Sequence, residues 1–350
     1  MAALRGSNRV SGTAPKKYEH PFLGYKNGEG EGAAILPLVL QMECTATRTE
    51  MNDNVKATLR RGYASFTELL DVVSGGPVSL CGAGPSLLHT LHHLKGDVFA
   101  VNSAIPLLLK QGIVPKWAMI WDCADICEAF AEPHPDVTYL IASRCHEKVF
   151  EKLRGCKVHV WHADGDMNII ELLNENGVNE PLIKGGTTGI TRGIYVAYAL
   201  GYRHFHLFGA DSCYVNGKSH VNGSLVYEHV LDVMVNGRWF KSTAQWAAQI
   251  EELKIMYPMF KHTQLRADMT AYDEGLFQFV LDIMKSDEER ALANALAALE
   301  LQQKQKGAAA PGVPGVMPEG SIAEIAKQHP EIAAPVMKTL QPLEAGANNV

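Results

Sequence analysis

Five short clusters in this chain combine glycine, small polar residues and carboxylates in ways that suit an anionic ligand. The first is Gly82-Ala83-Gly84-Pro85-Ser86, which follows the apolar run Val78–Cys81. Two glycines let a backbone approach a bound group closely, Pro85 fits the first turn of a helix, and the Ser86 hydroxyl stands beside amides that have no helical partner. Such a turn suits a phosphate, although a strand followed by Gly-x-Gly also describes an ordinary tight turn. The others are Asn102-Ser103, Asp122, the run Lys184-Gly185-Gly186-Thr187-Thr188-Gly189, and Gly209-Ala210-Asp211-Ser212. The Asn102 amide can donate and accept at once. Asp122 and Asp211, if they share a cleft, could hold Mg²⁺ with its waters against a polyphosphate, or accept from a ribose hydroxyl. Their plainer reading is helix capping, which also serves for Asn102-Ser103. Lys184 steers phosphate as a point charge or is a solvated surface lysine.

Histidine and cysteine carry weaker signals. His89 and His93 have ligand spacing on one helix with His92, but no glutamate accompanies them at a zinc-protease position. They read as a polar face. His220 and His229, beyond the Asp211 cluster, are general acid–base candidates by position. Cys123 and Cys127 lack further Cys or His neighbours for a metal and read as buried or half-buried free thiols.

All five clusters follow apolar runs, and those runs define the scaffold. Strands are expected at Val78–Cys81, Val98–Val101, Ala118–Trp121, Thr138–Ile141, Lys157–Trp161 and His204–Phe208. Helices are expected between them, at Ser86–Leu94, Ile105–Gln111, Ile126–Ala131, His146–Leu153, Met167–Asn176 and Thr188–Leu200. Strands that are apolar throughout and spaced by helices form a parallel sheet covered on both faces. The expected fold is therefore α/β, a doubly wound, mostly parallel Rossmann-like sheet, with ligands outside the strand C-termini. Downstream, Asn236-Gly237 marks a hairpin turn, followed by a helix over Ser242–Tyr257 and a short strand at His262–Leu265.

Residues 1–52 lack periodicity and read as a loosely ordered arm with one short strand near Ile35–Gln41. The nucleotide-binding domain spans 53–285, and its first helices include a capping-box pattern, Ser65-Phe66-Thr67-Glu68. Residues 286–350 comprise an exposed helix to about 306, a Pro/Gly/Ala-rich linker over Gly307–Glu319 and a small broken helix in Ser321–Leu340.

At 350 residues, with 47% hydrophobic and 20% charged residues, the chain has an ordinary globular balance. A net charge of −6 supplies no basic field for nucleic acid. The polar start Met1–Lys17 does not read as a signal peptide, and the apolar run Ala33–Leu40 is too short to span a bilayer. Seven scattered cysteines fit reduced thiols in a cytoplasmic protein. Oligomeric state is open.

The ordered motifs carry a resemblance. Cys81-Gly82-Ala83-Gly84-Pro85-Ser86-Leu87 resembles the Gly-x-Gly-Pro-Ser-Leu motif of the MptE-like family, named after a 6-hydroxymethylpterin diphosphokinase. Val98 to Leu108, Gly112–Pro115 and Ile120-Trp121-Asp122 are similar to its next segment, and Gly185-Gly186-Thr187 through Gly209-Ala210-Asp211 to its second half. The resemblance covers roughly residues 77–215. It implies transfer of pyrophosphate from ATP, with Mg²⁺, to a hydroxyl of a small acceptor such as a hydroxymethylpterin. Gly82, Ala83, Gly84, Ser86, Asn102, Ser103, Gly185, Gly186, Thr187 and Thr188 would hold the nucleotide, and Asp122 and Asp211 would hold metal or orient the acceptor; His220, a candidate by its position alone, joins Asp122 and Asp211 in the catalytic set. The same stretches are similar to bacterial CMP-sialic acid sialyltransferases, whose general base is a His near the start of a late helix. Trp239-Phe240-Lys241-Ser242-Thr243 has no His, so His220 or His229 would have to substitute. The expected partners are thus a nucleotide and a small-molecule acceptor, with no nucleic acid and no membrane. A glycosyltransferase using a CMP-sugar and a non-catalytic nucleotide-binding module are the alternatives.

Overall fold

A computed structural model describes residues 24–25, 46–163, 169–183, 185–222, 230–262 and 265–308, with backbone alone at 24–25 and 300–308. The expected strand near Ile35–Gln41, the segment beyond residue 308, Lys184 and His229 lie outside the described residues. The chain divides into two compact units, Met1–Lys261 with Arg266–Leu281, and His262–Leu265 with Asp282–Val350.

The strands in chain order are β1 (Gly24–Tyr25), β2 (Ala64–Ser65), β3 (Pro77–Cys81), β4 (Asp97–Val101), β5 (Trp117–Ile120), β6 (Thr138–Ala142), β7 (Lys157–Ala163), β8 (Leu182–Ile183), β9 (His204–Phe208), β10 (Leu231–Val235), β11 (Arg238–Ser242) and β12 (Asp268–Ala271). The helices are α1 (Arg48–Leu59), α2 (Leu87–Thr90), α3 (Ala104–Lys110), α4 (Glu147–Lys152), α5 (Ile169–Glu175), α6 (Gly189–Ala199), α7 (Ala244–His262) and α8 (Leu276–Ala308).

The main sheet runs β12-β9-β3-β4-β5-β6-β7-β2, with β8 beside β7. Every pairing in it is parallel. From β3 the chain winds outward through β4 to β7 on one side, where the earlier strand β2 closes the edge, then places β9 and β12 on the other. Its central strands are apolar because both faces are covered: Leu80, Phe99, Ala118, Met119, Leu140, Ile141 and Leu207 are fully buried. A small antiparallel sheet, β1-β10-β11, stands apart, its hairpin closed by Asn236 and Gly237, both with positive φ.

Several elements differ from expectation. The helix expected over Ser86–Leu94 is one α-turn followed by a 3₁₀ turn at Leu91–His93. The Thr90 hydroxyl bonds back to the carbonyls of Ser86 and Leu87, and the Ser79 hydroxyl ties both Lys95 backbone groups to β3, shortening the connection. Asp125–Phe130 is likewise 3₁₀ rather than α. Helix α7 continues past Tyr257 to His262, because Phe260 extends its buried apolar face, and the strand expected at His262–Leu265 forms instead at Asp268–Ala271. Ser65 caps a 3₁₀ turn over Phe66–Leu69, and a full capping box closes α1 at Thr47 and Glu50. In the second unit, α8 continues beyond Leu281, and none of residues 282–299 is buried. Among the described residues, no helix is long and apolar enough to cross a membrane.

Candidate active site at the sheet switch point

The strand order reverses between β3 and β9, and in open α/β sheets ligands bind outside the strand ends at that point. A cavity of about 140 Å³ lies there, walled by Gly82–Gly84, Asn102, Ser103, Thr188, Gly189, the segment Gly209–Cys213 and His220. Turns far apart in the chain therefore meet at one rim. The expected residues Gly82, Ala83, Gly84, Asn102, Ser103, Thr188, Asp211 and His220 all line it, whereas Ser86, Gly185, Gly186, Thr187 and Asp122 do not.

The first glycine turn is packed chiefly against protein. Gly84 N–H donates to the Gly209 carbonyl at 3.0 Å and Gly82 N–H to the Phe208 carbonyl at 2.8 Å. A Cβ on Gly84 would lie 2.2 Å from Asp211 Oδ2 and 2.5 Å from the Gly209 oxygen. Both donors of Ser86 point inward, its amide at 3.2 Å and its hydroxyl at 3.0 Å from Asp211 Oδ2. Ser86 thus ties the β3 turn to the end of β9, and its donors face a carboxylate of the chain itself. Burial pushes the Asp211 carboxyl above the usual carboxylate range, against the opposing pull of the Ser86 donors.

The second glycine turn also holds an internal anion. Gly185 and Gly186 both take positive φ, and a side chain on either would collide, with the Tyr195 ring and the Arg192 backbone respectively. This curl aims the Gly186 amide at Glu252 Oε1 (2.6 Å), and the Thr187 amide and hydroxyl at Glu252 Oε2 (2.8 and 2.9 Å). A carboxylate from α7 fills the amide cradle beside the N-terminus of α6. Thr188 caps α6 in a reciprocal pair with Thr191 and presents its other side to the cavity.

Asn102 sits at the end of β4 with φ 48°, a left-handed conformation that asparagine tolerates. Its N–H donates to the Met119 carbonyl, and its side-chain oxygen accepts from the Trp121 amide at 3.4 Å. Asp122 follows β5, three strand spacings or about 14 Å from β9, and its carboxylate accepts from the Ala124 amide at 3.3 Å. The Asp122–Asp211 pair therefore does not fit a shared Mg²⁺. Among the described residues, no group of three or more His, Cys, Asp or Glu side chains could hold a metal ion.

His220 Nδ1 lies 3.2 Å from the Ser219 hydroxyl, and burial lowers its proton affinity below that of free histidine. Burial thus disfavours the charged form of the ring. His92 and His93 meet at a tilt, and His93 stacks on Tyr272, away from the cavity lining. Cys123 and Cys127 are buried and in no disulfide, Cys123 accepting from Arg144, and burial pushes the Cys127 thiol well up.

Sequence reading missed Trp246, Gln249 and Glu252. They recur every third residue on α7, the first two lining the cavity and the third holding the glycine turn. The i, i+3 spacing was legible, but not that this face covers the switch point. A second cavity, of about 620 Å³, lies between the 213–217 segment and the β10–β11 hairpin; Cys213 lines both. Tyr214 of the larger cavity meets Trp246 of the smaller edge-on at 5.6 Å.

Residues 50–217 match the model of one protein family, described as 6-hydroxymethylpterin diphosphokinase MptE-like. The resemblance is to the MptE-like family. No curated protein matches the chain significantly. Among solved structures, the MAf glycosyltransferase from Magnetospirillum magneticum AMB-1 is similar at 15% identity and TM-score 0.44, over 67% of this chain and 38% of that one. The sialyltransferase CstII from Campylobacter jejuni, solved with cytidine-5'-monophosphate, is similar at 16% identity and TM-score 0.30, over 57% of this chain and 80% of that one. The chain thus spans well under half the length of the first.

Proposed function

We propose that this MptE-like chain is a nucleotide-dependent transferase that moves a pyrophosphoryl group from ATP onto a hydroxyl of a small acceptor, such as a hydroxymethylpterin. The observation that carries this reading is the convergence of Gly82–Gly84, Asn102-Ser103, Thr188 and His220 around one cavity at the switch point, within the segment that matches the family. The donor nucleotide enters the small cavity and the acceptor the larger one beside it. His220 Nδ1 faces Ser219, which leaves Nε2 to take the acceptor's hydroxyl proton. The acceptor oxygen then bonds to the β-phosphorus, the bond from the bridging oxygen to that phosphorus breaks, and AMP leaves carrying that oxygen. Positioning two substrates supplies much of the rate, because the chemistry needs no covalent enzyme intermediate.

The test is to incubate the protein with ATP, Mg²⁺ and 6-hydroxymethylpterin and to measure AMP. His220→Ala should lower the rate about 10²-fold or more; wild-type protein releasing no AMP above background would count against the reaction. The separation of Asp122 from Asp211 favours a second reading, glycosyl transfer from a CMP-sugar, in which a base is needed and a carboxylate-held cation is not. Stabilisation of the fold by CMP without metal would select it. Nucleotide binding without turnover of either donor would leave a binding module.

A further inference from the structure

We infer that Gln249 is the residue through which the small cavity reads the ring of its nucleotide. The inference rests on the nucleotide reading above and deepens it. Gln249 is only 4% exposed, yet it lines the cavity, and its side-chain amide has no hydrogen-bond partner among the described residues. An amide this enclosed, open only to the cavity it lines, points to a partner that arrives with the ligand.

The chemistry of that group follows from the amide. A carboxamide presents a donor and an acceptor side by side, which matches a heterocycle carrying an acceptor and a donor on adjacent atoms, as cytosine and adenine do. The neighbours suit a flat ring. Trp246, one turn earlier on the same face of α7, also lines the cavity and stands 6.2 Å from the His220 ring. Glu252, one turn later, fixes that face of the helix through three hydrogen bonds to the Gly186-Thr187 turn. Gln249 is thus held between two anchored neighbours at the cavity wall. The lining also offers Asn102 and Ser103, small polar groups suited to a ribose or phosphate.

The experiment is calorimetric titration of the full chain with CMP, AMP and ribose 5-phosphate, for wild type, Gln249→Leu and Gln249→Glu. Leucine removes both hydrogen-bonding groups at similar volume, and glutamate keeps the length but loses the donor. Both variants should weaken the preferred nucleotide about tenfold while ribose 5-phosphate binds as before. Nucleotide affinity unchanged in both variants would overturn the assignment and leave the nucleotide reading standing. Equal loss of nucleotide and ribose 5-phosphate would also overturn it, since Gln249 would then support the site rather than read the ring. Wild type binding neither nucleotide would overturn the nucleotide reading itself, and this inference with it. Should one variant fail to fold, the other decides by the same comparison.

Discussion

Replacing Glu252 by glutamine tests whether the second glycine turn is shaped by an internal anion. The carboxylate accepts from two backbone amides and one hydroxyl, all within 2.9 Å. Glutamine keeps the length, but only one of its two terminal atoms accepts, so its –NH₂ must face an amide donor at Gly186 or Thr187. Hydrogen bonds to a charged group are each worth ~1.5–3 kcal/mol. Glu252 is half-buried, so water compensates in part, and the expected net loss is about 2–3 kcal/mol. For a domain of this size that lowers the melting temperature by about 5–10 °C, read by circular dichroism. Hydrogen exchange gives the local readout: the Gly186 and Thr187 amides should be protected in the wild type and exchange faster in Glu252→Gln. Thr187→Val should cost less when combined with Glu252→Gln than in the wild type, because the hydroxyl's partner is already weakened. A melting temperature within a degree of wild type, with unchanged exchange at both amides, would refute the reasoning.

Other predictions concern the sheet and the site. Gly84→Ala should lower the melting temperature strongly, because a Cβ there meets Asp211 and the Gly209 backbone at 2.2–2.8 Å; an unchanged melt would show that the turn relaxes freely. At the opposite end of the strands, buried Trp117 Nε1 donates at 2.8 Å to Tyr202, whose hydroxyl donates to Asp97. Tyr202→Phe strands that indole N–H and should cost about 1–3 kcal/mol in denaturant unfolding. Burial lowers the proton affinity of His159, His162 and His220 from the usual 6.5. At these three positions the unfolded chain therefore takes up protons below pH 6.5 that the folded chain does not, so their contribution to stability should be flat above that value and fall as pH drops below it. If His220 is the base, the acid limb of the rate profile should lie below the ordinary histidine value and vanish in His220→Ala.

The alternation of apolar runs with helical stretches was enough to name a parallel doubly wound sheet and to place six strands within two residues, because a strand buried on both faces has to be apolar throughout. The same pattern located the strand ends, and so the clusters at Gly82–Gly84, Asn102 and Asp211 that share one cavity, while Thr188 reads as part of a glycine-rich entry into a helix. Local pattern could not tell which donors those clusters would leave for a ligand. Gly186 and Thr187 have the composition of an open anion cradle, yet a carboxylate 65 residues downstream occupies it; Ser86 bonds to an aspartate 125 residues away. Asp122 and Asp211 look alike in sequence, each following an apolar strand, but strand order sets them three positions apart. Gln249 shows nothing distinctive as a sequence position, since a glutamine on a helix is ordinarily solvated. Composition and period fix which residues must be buried and where the backbone turns; only the order of strands and the packing of α7 across them decides which polar groups meet each other and which are left facing the cavity.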